Sequence, residues 1–146
     1  MAGGAGFLLA VLWFDLMFDV QVLGHHEEVL PEPVLSSIAA YYRRVTTMAR
    51  PMNRLVAAAM LATGAAVITE IFAGAEPRWA VWVSLALVVA PVGLAGGRTV
   101  PAAVRLGGRA DPPVLQSAAA RSIQRDHAFC FVAIAGLLAV QLGFVR

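Results

Sequence analysis

The sequence predicts an all-α integral membrane protein: an antiparallel bundle of four transmembrane helices, with an amphipathic cytoplasmic helix between spans 1 and 2. Three observations carry this prediction. First, 60% of the 146 residues are hydrophobic and only 14% are charged, against about 25% charged in an average soluble domain. A chain this short exposes much of its surface and needs more charge than this to cover it in water. Second, four apolar runs are long enough to cross a bilayer, which takes about 17–25 helical residues. Third, the eleven basic residues are all arginines, and they gather at the ends of those runs. That is a membrane pattern rather than a nucleic-acid-binding patch.

The spans are expected at residues 7–23, 55–73, 79–95 and 128–145, within a single membrane domain covering 1–146. The first run has no Lys or Arg before it and carries two aspartates, so it reads as a retained span and not as a cleavable signal. After it, Pro31-Glu32-Pro33 writes a helix start, because proline is tolerated in the first turn. Val34, Ile38, Tyr41, Val45 and Met48 follow at helical spacing. They predict an amphipathic helix over 33–50, ended by Pro51, which either lies on the membrane surface with its arginines on anionic lipid or caps the bundle.

Spans 2 and 3 are joined by Gly74-Ala75-Glu76-Pro77-Arg78, short enough only for a tight hairpin. Gly96-Gly97 and Pro101 are expected to end span 3. Asp111-Pro112-Pro113 repeats the helix-start signal, and the helix it opens is expected to run unbroken into span 4. The two long links together hold Arg43, Arg44, Arg50, Arg54, Arg98, Arg105, Arg109, Arg121 and Arg125, whereas the other side holds Arg78 and Arg146. The positive-inside rule then places both links in the cytoplasm and both termini outside. Arginine without lysine, amid much Ala, Val, Leu and Gly, points to GC-rich coding and hence to a bacterial inner membrane.

Asp15 and Asp19 are the sharpest anomaly. An aspartate at the centre of a span costs about 2.5–3.5 kcal/mol on the insertion scale, while each Leu, Val or Phe returns roughly 0.3–0.6 kcal/mol. Span 1 is therefore marginal by itself, and both carboxylates must turn inward toward partners or water. They sit four residues apart and so share a helix face. At the same end the sequence brings His25, His26, Asn53, Arg54, Arg125, Asp126 and His127.

Three readings fit this cluster. It could be a set of buried ion pairs, such as Asp19 with Arg54 and Asp15 with Arg125, that lock helix register. It could be a chemical site in which two carboxylates and a histidine move protons for a quinone, a polyketide or another lipophilic substrate. Asp15, Asp19, His127, Asn53, Arg54 and Arg125 are the catalytic candidates. Or it could be a metal site drawn from His25, His26, His127, Cys130 and a carboxylate, although the Glu-x-x-His pairs of di-iron bundles are absent. Glu70 lies near the outer end of span 2, with Arg78 or outside water as its expected partner.

The layout resembles the small four-span bacterial membrane proteins grouped with anthrone oxygenases. The matching stretches are Trp13-Phe14-Asp15, Arg50-Pro51-Met52-Asn53-Arg54 and Arg125-Asp126-His127. The resemblance covers the whole chain in outline and few positions in detail, and Asp15 and Asp19 depart from the more apolar first span of that group. It implies that His127 and Asn53 stand nearest a substrate.

No nucleotide loop, nucleophile elbow, haem motif or zinc-protease helix occurs in the sequence, and nothing in it requires a cofactor. The favoured expectation is a non-catalytic accessory or assembly subunit of a larger membrane complex, or a homo-oligomer. Its expected partners are the lipid bilayer and other membrane subunits or further copies of itself, with no nucleic acid. The alternatives are a membrane oxidoreductase or cofactor-independent oxygenase, and an ion or proton pathway through Asp15, Asp19 and Glu70.

Overall fold

The computed structural model describes residues 2–145, and of Arg50 the backbone only. Helix α1 spans Ala2–Asp19 and tightens into a single 3-10 turn at Val20–Val22. It therefore starts five residues before the expected span. Its glycines tolerate this start because they let helices approach closely. A Cβ on Gly4 would stand 2.6 Å from Thr63 Oγ1 on the neighbouring helix.

Helix α2 covers Glu32–Arg43, with Pro31 as its N-cap residue and Glu32 in its first turn, where a negative charge suits the helix dipole. Leu35, Ile38, Ala39 and Tyr42 form its buried face. The predicted stripe holds at Ile38, which is fully buried, and at Val34, Tyr41 and Val45, which are half-buried and pack against the same core, while Met48 is 66% exposed. Helix α2 packs against α5, α6 and α1, so its apolar arc is wider than the spacing implied and extends to Leu35 and Tyr42.

Pro51 does not end this helix. A widened, π-type turn at Arg44–Met48 follows α2, and the break comes at Ala49, whose φ of −89° and ψ of 51° leave the helical region. Pro51 instead lies in the first turn of α3, Arg50–Phe72, where a missing N–H costs nothing. Gly74, at φ 71°, turns the chain toward α4, Arg78–Leu94.

Gly96-Gly97 and Pro101 do not end the next helix either. The backbone continues through a π-type turn at Ala95–Thr99 into α5, Val100–Gly107. A proline ring inside a helix collides with the carbonyl four residues back. The widened turn displaces that carbonyl, and Val100 N–H bonds to the more distant Ala95 oxygen. Helix α6 runs from Pro113 to Gly143 without interruption, about 46 Å at 1.5 Å per residue.

Ala2–Val22, Pro51–Phe72, Arg78–Gly107 and Pro113–Gly143 are each long and apolar enough to cross a membrane. Helix α1 packs on α3 and α6, and α4 packs on the same two. One apolar core joins Ala5, Leu8, Val67, Val88, Ile134 and Leu137 among these helices. A second core lies at the α2 end and joins Val22, Leu30, Leu35, Ile38, Leu106 and Ile123. Around both cores, Trp13, Phe14, Leu61, Phe72, Trp82, Val132 and Leu142 face outward, a display that water disfavours.

Candidate functional site: a carboxylate–tyrosine–histidine cluster

The two cores meet at a polar layer. Asp15 and Asp19, one helical turn apart on α1, face the C-terminal half of α2. Tyr41 donates its hydroxyl to Asp15 Oδ1 at 2.6 Å, and its ring stacks on Phe18 with centroids 4.0 Å apart. Tyr42, adjacent on α2 and so turned by about 100°, donates to Asp19 Oδ1 at 2.5 Å. The other oxygen, Asp19 Oδ2, accepts from His127 Nδ1 on α6 at 2.7 Å. Asp19 is 1% exposed, and a buried carboxylate is tolerable only when its oxygens are paired in this way.

An ionised carboxylate can only accept, so the pairing of Asp19 as a carboxylate calls for the imidazole proton on Nδ1, with the 3.4 Å approach of Tyr42 Oη to that nitrogen secondary. Among the described residues, nothing hydrogen-bonds His127 Nε2. Burial, followed by the negative charge of the facing carboxylates, pushes the hydroxyl pKa values of Tyr41 and Tyr42 well above the ordinary tyrosine value. Both therefore stay protonated and remain donors.

Beside this cluster, Asp126 is buried and accepts from Arg98 Nη2 at 2.9 Å and from Thr99 Oγ1 at 3.1 Å. Arg98 also reaches Ser122 Oγ, at 2.7 Å from Nη2. The widened turn at Ala95–Thr99 brings both Arg98 and Thr99 to face α6.

Of the catalytic candidates, the fold gathers Asp15, Asp19 and His127. Asn53 is exposed and donates to Thr46 O at 2.8 Å, holding the α2–α3 junction. Arg54 and Arg125 are exposed, and the expected pairs Asp19–Arg54 and Asp15–Arg125 give way to tyrosine and histidine partners. Snorkelling to the surface is the cheaper state for a long cation at a helix end. Of the metal candidates, His25 bonds the Gln21 carbonyl through Nδ1 at 3.0 Å, His26 is exposed, and Cys130 is buried on α6. Among the described residues, no three His, Cys, Asp or Glu side chains converge to hold a metal ion.

Glu70 also departs from expectation. Its Oε2 accepts from Gln141 Nε2 at 2.7 Å, and the same amide lies 3.0 Å from Ser84 Oγ. Arg78 pairs instead with Glu76, at 3.5 Å. Sequence reasoning missed the partner roles of Tyr41, Tyr42, Arg98 and Thr99. A signal was present in one case: the chain has only two tyrosines, and they stand side by side on the one amphipathic helix.

Comparison with protein-family models, with curated proteins and with solved structures finds no match for this chain.

Proposed function

We propose that the four long helices cross a bacterial inner membrane as an antiparallel bundle, with the α2 end in the cytoplasm and both termini outside, and that the protein is a non-catalytic accessory or assembly subunit of a larger membrane complex, or a homo-oligomer. The outward apolar side chains suit lipid contact. The arginine asymmetry between the two ends supports the orientation.

The observation that carries the non-catalytic reading is the internal pairing of every acid in the polar layer. Asp15 has Tyr41, Asp19 has Tyr42 and His127, and Asp126 has Arg98 and Thr99. Neither the groove beside Arg43 and Arg109 nor the one beside Pro77 and Phe144 is lined by Asp15, Asp19 or His127. In this reading the cluster moors α2 to α1 and α6, and so fixes register where apolar contacts give little direction. The test is the mass and protein content of the particle extracted gently at native expression level. Other subunits, or several copies of this chain, are expected. A monomeric particle overturns the reading.

One observation favours a second reading, a membrane oxidoreductase or cofactor-independent oxygenase acting on a lipophilic substrate. A carboxylate that holds a histidine by Nδ1 leaves Nε2 as a base, and the His127 side chain is 11% exposed. In this reading, Asp19→Asn keeps the fold and abolishes turnover of a quinone or polyketide substrate. Unchanged turnover excludes it. A proton pathway is opposed by the apolar core that lies between the Asp15 and Glu70 ends.

A further inference from the structure

Beside the moored face of α2 lies an open groove of about 530 Å³, lined by Glu32, Ser36, Arg43, Arg44, Met48 and Arg109 among others. Three arginines and one carboxylate line it. Arg109 Nη2 donates to both Glu32 oxygens, at 2.7 and 2.8 Å, which settles one positive charge. Arg43 and Arg44 are exposed and pair with no carboxylate among the described residues. Arg109 Nη1 is buried and has no hydrogen-bond partner, a state that is costly for a donor on a cation.

The backbone adds to this. Arg109 holds a φ of 52°, the left-handed region that side chains other than Gly, Asn and Asp seldom adopt. A glycine would sit there without strain, yet the position carries a guanidinium aimed at α2. Gly107, two residues before it, lets α2 come close: a Cβ at Gly107 would stand 2.6 Å from Arg43 N. The three arginines are thus held around one opening by a tight helix crossing.

The rim has a second character. Met48, which lines the groove together with Ala39 and Ala40, is largely exposed. Cations beside outward apolar groups are the pattern of a site where a phosphate meets acyl chains. We propose that this groove binds a phosphate-bearing anion through Arg43, Arg44 and Arg109, presented either by an anionic phospholipid headgroup or by free phosphate. The guanidinium fork suits phosphate oxygens, and Glu32 is the internal carboxylate that the anion competes with.

The test uses the full chain in detergent. Its arms are binding of phosphatidylglycerol against phosphatidylcholine in mixed micelles, and binding of inorganic phosphate alone. Arg43→Gln combined with Arg44→Gln should weaken the binding at least tenfold, and Arg78→Gln at the opposite end should leave it unchanged. Glu32→Gln removes the competing acid and should tighten binding several-fold, a gain that misfolding cannot produce. Selective phosphatidylglycerol binding with this pattern assigns the lipid source, and phosphate binding with the same pattern assigns the free anion. Binding of neither, or binding indifferent to Arg43, Arg44 and Glu32, overturns the proposal. The oligomeric state read by particle mass is independent of this outcome.

Discussion

Asp19 Oδ2 and His127 Nδ1 lie 2.7 Å apart although 108 residues separate them in the chain. This contact ties the first long helix to the last, and Tyr42 brings α2 into the same bond network. Three elements thus converge on one carboxylate that is shut away from solvent.

Removing that carboxylate's charge should destabilise the fold. Asp19→Asn is expected to cost about 1.5–3 kcal/mol, the usual range for hydrogen bonds to a charged group. Thermal melting in detergent measures it. A double-mutant cycle with His127→Ala should return a coupling of about 0.5–3 kcal/mol, as for residues in direct contact. Additive effects would show that the pair does not contribute as a unit.

The two tyrosines should differ. Tyr42→Phe leaves an oxygen of the fully buried Asp19 without a donor, and the loss is expected at about 1–3 kcal/mol. Tyr41→Phe acts on the half-buried Asp15 and should cost less. Melting temperatures of the two variants, compared in one detergent, decide the order.

Alkaline pH gives an optical reading of the same bonds. Both hydroxyls titrate above the ordinary value of 10.0, first because of burial and then because of the facing carboxylates. A folded-state pKa raised above the unfolded one contributes stability that is fully present below pH 10 and is lost as the pH climbs beyond it. Since the chain has only these two tyrosines, the tyrosinate absorbance band should stay absent above pH 10 until the protein unfolds. A band that grows smoothly in the folded protein would contradict the hydrogen bonds.

Glycine substitutions should separate close contact from open space. Gly107→Ala drives a Cβ into the Arg43 backbone and should cost about 1–3 kcal/mol, as overpacking does. Gly93→Ala, with nothing within 4 Å of the added carbon, should be neutral or slightly stabilising. Limited proteolysis between α1 and α2 should quicken only in the Gly107 variant.

Orientation is tested by labelling. In a Cys130→Ala background, Ala73→Cys at the hairpin should react with an impermeant thiol reagent in intact cells, and Ala110→Cys should not. The reverse pattern inverts the proposed topology.

Hydropathy and length made the four long helices legible, because twenty apolar residues have few other uses. The unbroken α6 was legible for the same reason, since its proline start signal is followed by no breaker. The joints were less so. Gly96-Gly97 and Pro101 read as a helix end, yet one widened turn absorbs them. The demand of Asp15 and Asp19 for partners was visible in the sequence, but the partners' identity was not. Arginines looked suitable because they carry charge, whereas the rotation of α2 that delivers Tyr41 and Tyr42 depends on its contacts with α5 and α1. Sequence spacing carries no record of those contacts.

Three runs, Ala2–Val22, Arg78–Gly107 and α6, each contribute to both apolar cores, while α3 contributes to the first alone. The α2 end is therefore mounted on three rods rather than four. In the proposed membrane setting, a tilt of Arg78–Gly107 or α6 imposed by a thinner bilayer or a neighbouring subunit swings α5 or the first turns of α6 like the short arm of a lever. The tyrosine bonds to α1 are the tether that such a swing must stretch.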